Sequence, residues 1–118
     1  MAEVSESDLR SMVKELIADV DANDRVAFRG AQFDRGLAWV HFPLGKGGLG
    51  LSPKAQTVVQ EELRHAPKVY DDIGINPIGI GMAAPVLLAH GTDEMHERFL
   101  RRIFTGEDIW CQLFSEPD

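Results

Sequence analysis

The feature that most constrains this sequence is an uncharged stretch from Asn76 to Gly91, which we call the central helix. Asn is a favoured helix N-cap and Pro suits the first helical position, so Asn76 and Pro77 predict a helix start. The apolar residues that follow fall on every side of a helical wheel, which is typical of a helix buried on all sides. A membrane span needs about 20 apolar residues, so this stretch is too short. Because Pro85 interrupts it, we expect a proline-kinked core helix.

The N-terminal third of the chain predicts one or two helices. Apolar residues from Leu9 to Val20 recur at i, i+3, i+4 and i+7, which indicates a helix with one buried face. Ser5 or Ser7 is positioned to cap it. The pattern then weakens, so the helix either continues or breaks before an end near Gly30. Three spaced apolar residues suggest a further short helix: Phe33, Leu37 and Trp39.

Two more helices are predicted on either side of the central helix. Ser52 and Pro53 open one that runs to about His65. Thr92 caps another, which follows directly on Gly91. The buried stripe predicted for this last helix consists of Met95, Phe99, Leu100 and Ile103. The sequence therefore predicts a mainly α fold, an orthogonal or up-down bundle of about five helices.

The loop from His41 to Ser52 contains a nominal dinucleotide signature. Residues 45–50 read Gly-Lys-Gly-Gly-Leu-Gly and satisfy G-x-G-x-x-G. In a dinucleotide-binding unit, the helix opens inside the motif and follows a buried strand. Here the Ser52-Pro53 helix start lies beyond the last glycine, and residues 37–42 make a poor buried strand. We therefore disfavour nucleotide binding.

Composition excludes other classes of function. The chain has 118 residues, 44% of them hydrophobic and 26% charged, as expected of one soluble globular domain. A formal net charge of −7 disfavours nucleic acid as a partner. The N-terminus lacks the pattern of a signal peptide, so a cytoplasmic location is predicted, without a membrane segment.

The polar residues show no catalytic or metal-binding arrangement. The four histidines lack metal-ligand spacing. The pairs Glu61-Glu62 and Asp71-Asp72 are adjacent, so on a helix their side chains diverge, and we expect a solvated surface. Cys111 lies in an apolar run and is predicted to be a buried small hydrophobe rather than a nucleophile.

The last segment changes character. Residues 109–115 form a short aromatic and aliphatic run before Pro117, which indicates a β-strand. No second run in the chain pairs with it convincingly. Either this segment lies as extended chain on the helices, or the sheet that receives it belongs to residues that are absent here.

Taken in order, the motifs resemble the N-terminal part of the FAD-dependent acyl-CoA dehydrogenases. The resemblance extends from about Leu9 to Pro117. The motifs that carry it are Gly-Gly-Leu-Gly-Leu-Ser at 47–52, Val-Val-Gln-Glu-Glu-Leu at 58–63, the central helix, Glu-Arg-Phe-Leu at 97–100, Thr-Gly-Glu at 105–107 and Trp-Cys-Gln-Leu-Phe-Ser-Glu-Pro at 110–117.

The resemblance implies a division of the chain and a cofactor. Residues 1–108 would be the N-terminal helical domain, and residues 109–118 the first strand of a truncated middle β-domain. The family uses FAD to desaturate acyl-CoA thioesters. The catalytic base comes from a C-terminal domain, so we expect no catalytic residue here, little retention of FAD and no dehydrogenation by this polypeptide alone.

The resemblance also implies two sets of site residues. The candidate flavin contacts are Gln112, Phe114 and Ser115, and the candidate acyl contacts on the central helix are Ile78, Gly81 and Met82. Close helix packing is an alternative use for Gly81. Without the remaining domains, the chain would self-associate as a homo-oligomer or bind a companion chain. The alternative function is a stand-alone helical module that works by such association.

Overall fold

A computed structural model describes residues 4–66 and 76–111 of the chain. Five α-helices account for most of them: α1 (Glu6–Asp19), α2 (Arg25–Asp34), α3 (Gln56–Leu63), α4 (Ala84–His90) and α5 (Asp93–Thr105). A 3-10 turn, Pro53–Ala55, leads into α3, and a π turn, Gly79–Ala83, leads into α4. In the described part of the chain the fold is mainly α, as the sequence predicts, and it contains no strand.

Capping residues set the helix starts. The Ser5 hydroxyl accepts a hydrogen bond from the Asp8 amide, and the Asp8 carboxylate accepts one from the Ser5 amide, which forms a capping box for α1. Ser52 accepts from the Lys54 amide and Thr92 from the Met95 amide. These starts agree with the sequence prediction, and Ser5 rather than Ser7 is the cap of α1.

The prediction for residues 20–39 was partly wrong. The first helix ends at Asp19, and α2 starts at a new cap, where the Asp24 carboxylate accepts from the Ala27 amide at 3.2 Å. The short helix expected around Leu37 does not form, because Gly36 takes a left-handed conformation (φ 77°) that ends α2. Phe33 therefore belongs to α2.

The core has two parts. The first is formed by α1, α3 and Phe28 of α2, and the second by α4, α5 and Phe33 of α2. Because α2 contributes to both, it joins the two halves, and the buried Arg29 strengthens the joint by donating to the Phe104 carbonyl at 2.7 Å. Loop residues Trp39 and Phe42 complete the second part.

The glycine-rich loop folds back onto this core. The Ala38 and Trp39 amides both donate to the Gly47 carbonyl, at 3.1 and 2.9 Å. A β-carbon on Gly48 would lie 2.0 Å from the Phe42 carbonyl oxygen. The glycines therefore have a structural use in a tight, packed loop, and the next helical turn begins only at Pro53.

One of the predicted surface carboxylates is buried. The Glu62 side chain is only 7% exposed, and it accepts from Arg10 Nη1 at 2.9 Å across the α1–α3 contact. Arg10 also pairs with Glu6 and Glu61. The hydrogen bond from Arg10 holds the pKa of the Glu62 carboxyl below its usual range. The prediction of a solvated surface was therefore wrong for Glu62. Neighbouring residues could not indicate its burial, since its cationic partner lies 52 residues away in sequence.

Candidate functional site

The central helix occupies residues 77–90, and its middle is a π turn. The Ala84 amide donates to the Gly79 carbonyl, five residues back. Pro85 has no amide hydrogen, and its ring would clash with the carbonyl four residues earlier in a regular α-helix. The wider turn before Pro85 accommodates that ring, so the interruption predicted at this proline takes the form of a π turn.

One side of the central helix is open, which contradicts the prediction that it is buried all round. Ile80 and Ala84 are buried in the second part of the core. Met82 is 46% exposed, Val86 is 59% exposed, and Gly81 is exposed as well. We call Gly81, Met82 and Val86 the outer face. Within the described residues, the buried side of this helix faces α5 and the loop residues of the second part of the core, and the outer face is exposed.

The two glycines of the π turn differ in their surroundings. A β-carbon on Gly79 would lie 2.5 Å from Asn76 Nδ2, so Gly79 makes room for that side chain. A β-carbon on Gly81 would meet no described atom within 4 Å. The Asn76 side chain therefore accounts for Gly79, rather than the packing of another helix. No described atom packs on Gly81, so among the described residues the space above it is open.

The predicted acyl contacts lie together. Gly81 and Met82 are neighbours on the outer face, and Ile78, at the first turn of the same helix, is half-buried. All three belong to the π turn or the residue just before it. The three positions are thus close in sequence and lie next to an exposed apolar surface.

Asn76 has a use that the sequence prediction missed. Its side chain does not cap the central helix, since Oδ1, the atom that would accept from the first helical amides, accepts from the Trp110 amide at 3.1 Å. Its Nδ2 donates to the Ile103 carbonyl at 3.1 Å and to the Asp108 carbonyl at 2.8 Å. The sequence held one indirect signal for this role, a glycine three residues later at Gly79, which leaves space for the side chain.

The described start of the predicted strand, residues 109–111, is not a strand. The Trp110 ring packs edge-on against Phe99, with centroids 5.6 Å apart, so this chain lies along α5. Cys111 is exposed, which corrects the prediction that it is buried. The candidate flavin contacts, Gln112, Phe114 and Ser115, lie outside the described residues.

The prediction for the buried stripe of α5 was partly wrong. Met95 is 42% exposed, and Leu100 and Ile103 are fully buried, as is Phe104. His96 takes the inner position, with Nε2 2.5 Å from the Leu87 carbonyl oxygen. Because a carbonyl only accepts, Nε2 carries the proton, and this bond ties α5 to the end of α4.

Neither metal chemistry nor a membrane span is indicated by the described residues. Over 4–66 and 76–111, no three His, Cys, Asp or Glu side chains are grouped to hold a metal ion. No helix in these ranges has the length and apolar character needed to cross a membrane.

The sequence matches the family described as acyl-CoA dehydrogenase, N-terminal domain, over residues 4–107. The chain therefore belongs to the acyl-CoA dehydrogenase family, as its N-terminal helical domain.

Curated relatives agree with this assignment. Acyl-CoA dehydrogenase FadE34 of Mycobacterium tuberculosis is 38% identical over 109 residues, 92% of this chain and 15% of the relative. Acyl-CoA dehydrogenase IpdE1 of Mycolicibacterium smegmatis is 35% identical, over 70% of this chain and 20% of the relative. The (2S)-methylsuccinyl-CoA dehydrogenase of Cereibacter sphaeroides is 31% identical, over 72% and 15%. The matched region thus spans a fifth or less of these relatives. No solved structure matches the chain.

Proposed function

We propose that this chain is the N-terminal part of a flavoprotein that uses FAD to oxidise the CH–CH bond of acyl-CoA thioesters. In this proposal the outer face of the central helix, with Ile78 beside it, forms part of the acyl pocket. Residues 109–118 begin the middle β-domain, and Gln112, Phe114 and Ser115 contact the flavin. A cytoplasmic location remains part of the prediction.

The observation that carries the proposal is the open space above Gly81, flanked by exposed Met82 and Val86. Ligand pockets are lined mainly by apolar side chains, and an acyl chain offers only apolar surface to them. A glycine in a helix interior costs about 1 kcal/mol relative to alanine. With no packing partner for Gly81 among the described residues, space for a ligand is the use that offsets this cost.

The proposed reaction needs more than these residues. The relatives are five or more times longer than the region matched here, and the resemblance places the catalytic base in another domain. We therefore propose that these 118 residues alone do not dehydrogenate acyl-CoA. Steady turnover of an acyl-CoA by the chain with FAD and an electron acceptor would contradict this statement.

The second candidate function is an association module. Leu44, Val86 and Ile109 are each about 60% exposed, and apolar surface of this kind marks interaction sites when it is contiguous. In this alternative the chain acts as a homo-oligomer or as a subunit beside a companion chain. Light scattering that shows a strict monomer at all concentrations would count against it.

Substitution of Gly81 separates the acyl-pocket proposal from a packing role. Gly81→Leu fills the open space, so we expect weaker binding of a long-chain acyl-CoA in equilibrium dialysis, relative to the binding of CoA itself. Because an added β-carbon meets no described atom within 4 Å and leucine favours a helix more than glycine does, we expect the free energy of unfolding to stay the same or to rise by up to about 1 kcal/mol.

The matched control is Gln60→Leu, which adds the same side chain at an exposed position of α3. It should leave acyl-CoA binding unchanged. If Gly81→Leu lowers stability and leaves acyl-CoA binding as in the original chain, Gly81 serves packing and the proposed pocket is wrong.

A further inference from the structure

The Asn76 side chain is a fully buried polar group in the described part of the chain, with 0% of the residue exposed. Both hydrogens of its amide group are donated, to the Ile103 and Asp108 carbonyls, and its oxygen accepts from the Trp110 amide. Buried polar groups are costly unless they are hydrogen-bonded. Here one side chain satisfies three backbone groups at once.

These three bonds join separate parts of the domain. Asn76 directly precedes the central helix, and its own carbonyl accepts from the Ile80 amide at 2.8 Å. Ile103 lies in the last turn of α5, and its carbonyl accepts both from Asn76 and from the Gly106 amide, at 3.3 Å. Trp110 lies on the segment that follows α5. A single carboxamide thus holds the start of the central helix, the end of α5 and this following segment in one arrangement.

Gly79 also supports a structural role for the Asn76 side chain. Its absent side chain leaves space for the Asn76 carboxamide, which a β-carbon would approach to 2.5–2.8 Å at three atoms. The central helix therefore accommodates Asn76 at the cost of a glycine in its first turns.

We propose that Asn76 is a positioning residue that fixes the acyl-facing helix relative to the segment entering the middle domain. This inference rests on the proposed function, because that function supplies the reason for holding the helix and the segment in a fixed arrangement. The segment after Trp110 carries the proposed flavin contacts, and the helix after Asn76 carries the proposed acyl contacts. Asn76 sets the distance and the angle between the central helix and the chain at Trp110, without touching either ligand.

The chain offers a direct probe of this arrangement. Cys111 is its only cysteine and is exposed, so a nitroxide label attaches beside Trp110. The label broadens the methyl signal of Met82 on the central helix to an extent that depends steeply on their separation. In the original chain we expect the label to broaden the Met82 signal to one reproducible extent, since Asn76 holds the two segments at one distance. This measurement uses no acyl-CoA, so it tests the positioning role separately from the proposed function.

Asn76→Asp keeps the acceptor for the Trp110 amide and removes both donors. We expect it to change the broadening of Met82 while the fold persists. Gln32→Glu is the matched control, because Gln32 is 3% exposed and donates to the Leu37 carbonyl at 3.0 Å in a different part of the core. It should lower stability and leave the broadening as it was.

Gly79→Ala provides a second route if Asn76→Asp does not fold. It retains Asn76 but displaces the carboxamide, and we expect the same change at Met82. Unaltered Met82 broadening in a folded Asn76→Asp or Gly79→Ala chain would overturn the inference. So would an equal change in Gln32→Glu, since that result would reflect lost stability rather than lost positioning.

Discussion

Replacing Phe104 by alanine should lower the free energy of unfolding by about 3–5 kcal/mol, the range for removing a buried phenylalanine. Phe104 is completely buried in the second part of the core. Its ring lies edge-on to Trp39, with centroids 5.1 Å apart, and the Arg29 guanidinium lies 3.8 Å from its centre. The cavity would open between α2, α5 and the glycine-rich loop. These three elements hold one another in place, so they cannot move far to fill it.

Chemical denaturation followed by tryptophan fluorescence measures this effect. Small domains have a total stability of roughly 5–15 kcal/mol, so the Phe104→Ala chain should be only marginally folded. Met95→Ala is the control, since it truncates a half-exposed side chain on the same helix and should cost about 1 kcal/mol or less. Equal losses for the two substitutions would show that the second part of the core is not packed as described.

The second large effect is expected at Gly48. In Gly48→Ala the β-carbon would lie 2.0 Å from the Phe42 carbonyl oxygen and 2.4 Å from that of Trp39. Both obstacles are backbone atoms, so the loop itself must move. We expect a loss of about 3 kcal/mol or more, the upper end of the cost of overpacking, in the same denaturation assay.

Gly45 provides the comparison within the same motif. It has a positive φ of 81°, but a β-carbon there would meet nothing within 4 Å among the described residues. Gly45→Ala should therefore cost only the left-handed penalty, about 1–2 kcal/mol. If Gly45→Ala proves as damaging as Gly48→Ala, the clash at Gly48 is not what the loop depends on.

The sequence predicted the local features of this fold well. Helix starts depend on a cap and its near neighbours, so Ser52 and Thr92 could be identified without any tertiary information, and Ser5 was one of two candidates for the first helix. The helical character of the domain followed from the spacing of apolar residues. Where a left-handed glycine intervened, at Gly36, the apolar pattern alone was misleading.

Features that depend on distant residues could not be predicted. Glu62 is buried because Arg10 reaches it from another helix, and the Asn76 carboxamide satisfies backbone groups that lie 27 or more residues away. The outer face is a similar case. Its composition shows that Met82 and Val86 are apolar, but whether they are covered depends on the neighbours that fold beside them.

The candidate acyl contacts stay a prediction from the resemblance. Family resemblance selected Ile78, Gly81 and Met82, and in the structure Gly81 and Met82 lie on the π turn that follows Ile78, with no described atom above Gly81. The residues themselves gave no such indication, because an apolar helix serves a core as well as a pocket. The candidate flavin contacts in the last seven residues stay a prediction from the resemblance.

The central claim, that the outer face receives an acyl chain, is tested most directly by methyl NMR of the four methionines during titration with a long-chain acyl-CoA. Met82 and Met95 are almost equally exposed, at 46% and 42%, so each serves as a reference for the other. The account predicts that the Met82 signal shifts, that Met95 and Met12 do not, and that CoA alone has no effect on Met82. Equal shifts at Met82 and Met95, or no shift at Met82 up to the solubility of the acyl-CoA, would contradict it.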